Sequence, residues 1–270
     1  MKTLHGKIKM AAFDVDGTLL PNSQIHFGLE TKNMFAQLKE QNIITVLATA
    51  REFATIGDFL EQLKPDYFIG SNGSFIWDVA KKEFLFKKTL IKEEVIQVYH
   101  EFKDDIKGIS ISDFDKVFKS PNLNLESWFV GPNAHNYVDF DEELLSHDNL
   151  FLITINRENP QELIQRINDY IEKHNLSMEV NSIWTRGLFI LPKNINKFYT
   201  INYLCQKLGI STEELITFGD GSNDFEMIRD AGYGVAMERA SEKLKSVAKD
   251  VAIDCEYQGV YLKLKELKII

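Results

Sequence analysis

Asp14 and Asp16 stand two residues apart in Phe13-Asp14-Val15-Asp16-Gly17-Thr18-Leu19-Leu20, directly after the apolar run Ile8 to Phe13. That run predicts a buried first strand. The Gly-Thr turn behind it can aim both carboxylates past the strand's carboxyl end, where open α/β sheets bind ligands. A second acidic turn, Phe218-Gly219-Asp220-Gly221-Ser222-Asn223-Asp224, repeats the design near the other end of the chain. Each turn alone reads equally well as a solvated Asp-Gly turn. Together, Asp14, Asp16 and Asp220 offer the oxygen ligands that a hard divalent cation such as Mg²⁺ takes, usually beside a substrate phosphate. No His or Cys cluster accompanies them to favour zinc or copper. Gly17 falls at the fourth position of the acidic run and no Glu closes a twelve-residue loop, which excludes an EF-hand. Gly219-Asp220-Gly221 follows a strand and opens a helix as a dinucleotide loop does, but Asp224 sits at the sixth position where Gly is needed. Two uncompensated carboxylates there would repel a pyrophosphate. With a metal present, the helix N-terminus at this edge can still hold a phosphate.

Apolar and helical-period stretches alternate on both sides of these turns. A helix around Leu29 to Glu40 precedes strand-like Ile43 to Ala48. Phe53, Ile56, Leu60 and Leu63 then share one face of a helix expected over Glu52 to Leu63, which Pro65 ends. Tyr67 to Gly70 supplies a third strand. The loops after the three strands, Asp14 to Thr18, Thr49 to Arg51 and Ser71 to Ser74, are all small and polar. Right-handed crossovers bring such loops to one edge of a parallel sheet. From about Phe84 to Arg186 the text changes to less uniformly apolar strands, Ile109 to Ser112 and Phe151 to Ile155, with helical phases at Ile91, Val95, Val98 and Phe102 and at Leu163, Ile167 and Tyr170. A mixed sheet with helices on one face is expected there, with Phe114 to Asp148 unassigned. The first rhythm resumes with strand-like Leu188 to Leu191 and a helix over Lys197 to Leu208. Strand Leu215 to Gly219, a helix over Asp224 to Ala231 and strand Tyr233 to Ala236 complete it. The fold class is α/β, a Rossmann-like parallel-sheet core with an inserted α/β cap domain. Its expected limits are core 1–82, cap 83–187 and core 188–270.

Composition narrows the function. At 270 residues the chain can bury a sizeable core, and a formal net charge of −9 argues against a protein that grips nucleic-acid backbone. Cys205 and Cys255 are the two cysteines and lack metal-ligand spacing, so a reducing, cytoplasmic location is expected. Met1 to Lys7 has basic residues but no long apolar run behind it, and nowhere do about 18 apolar residues run together. Neither a signal peptide nor a membrane span is expected.

In order and spacing, Asp14-Val15-Asp16-Gly17-Thr18-Leu19-Leu20, Ala48-Thr49-Ala50-Arg51, Lys197, and Gly219 to Asp224 with Met227 resemble the four motifs of the haloacid dehalogenase superfamily. More narrowly, the chain is similar to the Cof-type phosphatases, whose large C2-type cap lies between the second and third motifs. The resemblance implies a Mg²⁺-dependent hydrolase of small phosphomonoesters acting through an aspartyl phosphate. It makes Asp14 the nucleophile, and Asp16 the general acid and base, whose backbone carbonyl also ligates the metal. Asp220 completes the metal site and Asp224 supports it. Thr49 and Lys197 would hold the phosphoryl oxygens, with Ala50, Arg51, Asn72 and Asn223 as further phosphate- or substrate-binding positions. Ala50 stands where the family commonly has Gly, and Arg239-Ala240 where it often has Asn-Ala. The expected partner is a small phosphorylated metabolite, neither nucleic acid nor membrane, with the oligomeric state open. A phosphomutase using the same aspartyl phosphate, or a metabolite-binding protein without turnover, are the rival functions. Trp184, Arg186 and His135 fall in the expected cap without assigned roles.

Overall fold

The computed structural model describes residues 4–270, so the first three residues of the Met1 to Lys7 stretch lie outside the described residues. In chain order, β1 (Met10–Phe13), α1 (Leu29–Glu40), β2 (Ile44–Ala48), α2 (Phe59–Leu63), β3 (Tyr67–Gly70), β4 (Phe75–Asp78) and β5 (Glu83–Lys87) form the first half of the core. The insert follows with α3 (Lys92–Phe102), β6 (Gly108–Asp113), β7 (Lys116–Lys119), β8 (Tyr137–Asp139), β9 (Leu150–Asn156), α4 (Gln161–Lys173), β10 (Met178–Trp184) and β11 (Gly187–Pro192). The core resumes with α5 (Lys197–Leu208), β12 (Leu215–Gly219), α6 (Phe225–Asp230), β13 (Tyr233–Met237), α7 (Glu242–Lys245), β14 (Asp250–Ala252) and α8 (Gly259–Glu266).

The core sheet runs β14-β13-β12-β1-β2-β3-β4-β5, parallel through its first six strands. Successive β1 residues serve opposite layers, because strand side chains alternate. Ala11 and Phe13 pack with Met34, Phe35 and Leu38 of α1 and Leu264 of α8. Met10 and Ala12 pack with Ile201 and Leu204 of α5, Ile228 of α6 and Leu244 of α7. Covering both faces explains why the core strands read as unbroken apolar runs. β1 lies between β12 and β2, with Phe13 opposite Phe218 on one side and Leu47 on the other. Chain direction away from β1 reverses there, which opens a crevice at the strands' carboxyl ends.

The smaller sheet runs β10-β11-β9-β6-β7-β8 and is antiparallel except for β7 with β8. Ile109, Ile111, Ile153 and Ile155 turn to α3 and α4. The opposite face looks toward the core.

Three expectations differ from these elements. β5 pairs with β4 in the core sheet, and β11 pairs with β10 and β9 in the smaller one, whereas the divisions at 82/83 and 187/188 put each on the other side. Both are second strands of hairpins, and a strand closed on its neighbour by a short turn stays in that neighbour's sheet. The crossings between sheets are therefore the connections 88–91 and 193–196. The helix over Glu52 to Leu63 shrinks to α2. Thr55 folds back on Glu52, its Oγ1 donating to Glu52 Oε1 at 3.0 Å, and Gly57 takes a φ of 58°, so the chain turns before it winds.

The two crossings touch, with Lys88 Nζ donating to Lys193 O at 2.6 Å. Beside them Phe75 of β4 meets Phe151 of β9 at 4.9 Å between ring centroids, and Phe53 meets Phe75 and Phe114 at 5.3 and 5.1 Å. Core and cap thus share an aromatic joint. Among the described residues no helix is long and apolar enough to cross a membrane.

Candidate active site

Because β1 and β12 are neighbours, the two acidic turns lie side by side although Thr18 and Asp220 are 202 residues apart. Thr18 Oγ1 donates to Asp220 Oδ1 at 3.0 Å. Gly17 allows the approach. Its φ is +85°, and a Cβ there would lie 2.4 Å from Asp220 Oδ2. Asp14 continues the ladder, its N–H donating to Phe218 O at 2.9 Å, so its side chain stands at the strand end.

Lys197, the first residue of α5, is nearly fully buried and lies between two carboxylates. Its Nζ donates to Asp14 Oδ1 and to Asp224 Oδ1, both at 2.6 Å. The other Asp224 oxygen accepts the N–H groups of Asp220 and Gly221, each at 2.9 Å, which closes the second turn around it. Asp14, Asp220 and Asp224 bring carboxylate oxygens within 4.8 Å of one another. Three carboxylates against one ammonium leave two negative charges in a nearly dry space. Burial, then the Asp224 charge, push the Asp14 carboxyl well above the usual range despite Lys197. Burial and Asp224 likewise push Asp220 up to about 7. Burial by itself would lower the Lys197 ammonium, but Asp14 and Asp224 reverse that and raise it. A divalent cation fits this donor set, since it cancels the excess charge with hard oxygen ligands. With Asp224 spent on Lys197 and the turn, Asp14 and Asp220 remain to hold it.

Asp16 goes elsewhere. Its two oxygens accept from Arg51 Nε at 2.7 Å and Arg51 Nη2 at 2.6 Å, a two-pronged pair in which the Arg51 side chain is only 4% exposed. Arg51 Nη1 donates to Thr55 O at 2.7 Å, and the guanidinium lies 5.0 Å from the Phe59 ring and 4.5 Å from that of Phe129 in the cap. The Asp16 carboxylate is therefore outside the carboxylate cluster, and Arg51, expected to face phosphate, is engaged with Asp16. Thr49 is buried at the end of β2, and its Oγ1 accepts the Arg51 N–H at 3.2 Å. Asn72 is fully buried, in the left-handed region at φ 55°, and its Oδ1 accepts from Asn223 Nδ2 at 2.8 Å. Its Nδ2 has no partner among the described residues.

A cavity of about 500 Å³ lies over these strand ends and under the cap sheet. Asp14, Asp16, Thr49, Ala50, Asp220 and Asn223 line it from the core; Lys197, Asp224, Arg51 and Asn72 stand behind that lining. From the cap it takes Ser110, Thr154, Asn156, Trp184, Arg186 and Phe189 among others. Glu52 also lines it and was not singled out from sequence. Burial pushes its carboxyl up to about 7, against hydrogen bonds from Thr55 and Ser112. Its signal, an acid directly after Thr49-Ala50-Arg51, becomes meaningful only once the cap strand is seen above it. Cap and core also meet at hydrogen bonds from Asn136 Nδ2 to Ala54 O at 2.7 Å and from Ser222 Oγ to Ile183 O at 2.8 Å.

Residues 11–264 match the model of the haloacid dehalogenase-like hydrolases. The chain belongs to that family. Among proteins similar to this hydrolase is a putative phosphatase of Mycoplasma pneumoniae, 29% identical, the alignment covering 94% of this chain and 95% of the relative. Another is the 5-amino-6-(5-phospho-D-ribitylamino)uracil phosphatase of Bacillus subtilis, 26% identical over 89% of this chain and 88% of the relative. In fold the hydrolase is similar to a haloacid dehalogenase-like hydrolase from Bacteroides thetaiotaomicron. The TM-score is 0.80 at 23% identity, covering 96% of this chain and 99% of that one.

Proposed function

We propose that this hydrolase is a Mg²⁺-dependent phosphatase that cleaves small phosphomonoesters through an aspartyl phosphate on Asp14. The observation that carries the reading is the buried nest of Asp14, Asp220 and Asp224 around Lys197 on the floor of a substrate-sized cavity. Relatives named as phosphatases, one for a phosphoribityl uracil compound, support the substrate class.

Lys197 occupies Asp14 Oδ1, which leaves Oδ2 to attack phosphorus. The new Oδ2–P bond forms as the bond from phosphorus to the alcohol oxygen breaks, and Asp16 supplies that oxygen's proton. Water then attacks the aspartyl phosphate, giving its proton to Asp16 and releasing phosphate and free Asp14. Both Asp16 oxygens accept from Arg51, so Asp16 must release one of those bonds and take up a proton before it can protonate the leaving oxygen. Thr49 and Lys197 stabilise charge on the transferring group, where positioning and electrostatics supply most of the rate. Mg²⁺ held by Asp14 and Asp220 would neutralise phosphoryl charge.

The test is phosphate release over a panel of phosphorylated metabolites, with Mg²⁺ and with chelator. Release that requires Mg²⁺ and disappears in Asp14→Asn is expected. Full Mg²⁺-dependent release by Asp14→Asn would overturn the mechanism, and label passing from substrate into an isomeric sugar phosphate would assign a mutase.

A further inference from the structure

The ladder of the cap sheet orders the residues on its cavity face. Ser110, Thr154, Phe189 and Ser182 stand in one row across β6, β9, β11 and β10. In the next row Asn156 stands between Gly108 and Gly187, with Trp184 opposite Gly187. The Trp184 ring folds over Gly187, where a Cβ would lie 2.5 Å from the indole. The Phe189 ring is 4.5 Å from it, centroid to centroid, with the planes at 38°. Both rings are only partly buried and both line the cavity. Ser110, Thr154 and Asn156 line it too, and among the described residues no hydrogen bond ties their side chains to another protein group. Arg157 and Arg186 lie at the same edge.

A sheet face built only for packing would be apolar here, as its reverse face is. Instead it offers two ring faces, two hydroxyls and a carboxamide to whatever enters. Aromatic faces gain an extra increment, beyond the area they bury, from pairing with flat π-systems. A carboxamide carries one acceptor and two donors in a plane, which matches a ring N–H beside a ring C=O. We propose that this row seats the far end of the leaving group, and that the substrate carries a planar nitrogen heterocycle with such an edge. The ring lies against Trp184 and Phe189, its edge meets Asn156, and hydroxyls of its linker meet Ser110 and Thr154. The inference rests on the phosphatase reading above and names the substrate class for that site.

Two matched pairs test it: uridine 5′-monophosphate against ribose 5-phosphate, and flavin mononucleotide against ribitol 5-phosphate. Within each pair the compounds differ in carrying the ring or a hydroxyl at the same carbon. The ring-bearing member is expected to have the higher kcat/KM by about tenfold or more in at least one pair, the scale of base–aromatic stacking. Trp184→Ala should bring that ratio close to one, and Trp184→Phe should restore it. A ratio at or below one in both pairs overturns the proposal, as does a wild-type ratio in Trp184→Ala. Should none of these four compounds release phosphate, the wider metabolite panel decides the phosphatase reading. Calorimetric binding of the same pairs to the wild-type, Mg²⁺-loaded protein then decides the subsite, equal affinity within both pairs overturning it.

Discussion

At the scale of single residues, the site is an imbalance of charge held under low solvent access. Thr49 places one hydroxyl at the floor of the cavity. On the proposed mechanism, Thr49→Ala would remove a hydrogen bond to a charged phosphoryl group, worth about 1.5 to 3 kcal/mol, so kcat/KM should fall about ten- to a hundredfold. Steady-state kinetics on the best substrate of the screen checks this. Glu52 makes a different prediction. Its carboxyl rises from an ordinary 4.5 to about 7, so the folded protein keeps a proton that the unfolded chain releases between those values. The resulting stability is fully present below 4.5 and is lost as pH rises through 7, by ~3 kcal/mol at most. Glu52→Gln keeps the hydrogen bonds without the titration. Urea unfolding across that window should give a stability difference between wild type and variant that changes with this slope. A constant difference would show that Glu52 does not hold the proton.

At the scale of elements, Lys197 is placed by the start of α5. Asn196 caps that helix, its Oδ1 accepting the Tyr199 N–H at 2.8 Å. Asn196→Ala should cost about 1 kcal/mol in denaturant unfolding, the usual value of such a cap. The two acidic turns were legible in the sequence because each needs short, local chemistry: an apolar strand, acids at its end, and a glycine where another group approaches. Gly17 and Asp220 carry that signal in their own neighbourhoods. The engagement of Asp16 with Arg51 was not legible, since it depends on Thr55, Phe59 and a cap residue, Phe129, converging from three places. The strand limits failed for a related reason. β11 reads like a core strand because Leu188 and Ile190 serve the cap interior while Leu191 joins the core cluster. Apolarity reports burial, not which sheet provides it.

At the scale of the whole molecule, core and cap are joined by the crossings, the aromatic cluster of Phe53, Phe75, Phe114 and Phe151, and contacts on both sides of the cavity. Calorimetry on the Mg²⁺-loaded protein should therefore give one cooperative transition, with calorimetric and van't Hoff enthalpies in agreement. At a Mg²⁺ concentration a hundredfold above Kd the native state gains about 2.7 kcal/mol, so Tm should rise by on the order of 5 °C over the chelated protein. Two resolved transitions would mean that the cap melts independently.

The returning crossing, 193–196, ends one residue before Lys197. The lysine that bridges Asp14 and Asp224 is thus the next link of the chain after that crossing, while the outgoing crossing leads only into α3. The two crossings are not equivalent. One only tethers; the other adjoins Lys197 directly, so any displacement of its end would reach that residue within a single peptide unit. A change of length there would act on chemistry without altering any group that touches substrate.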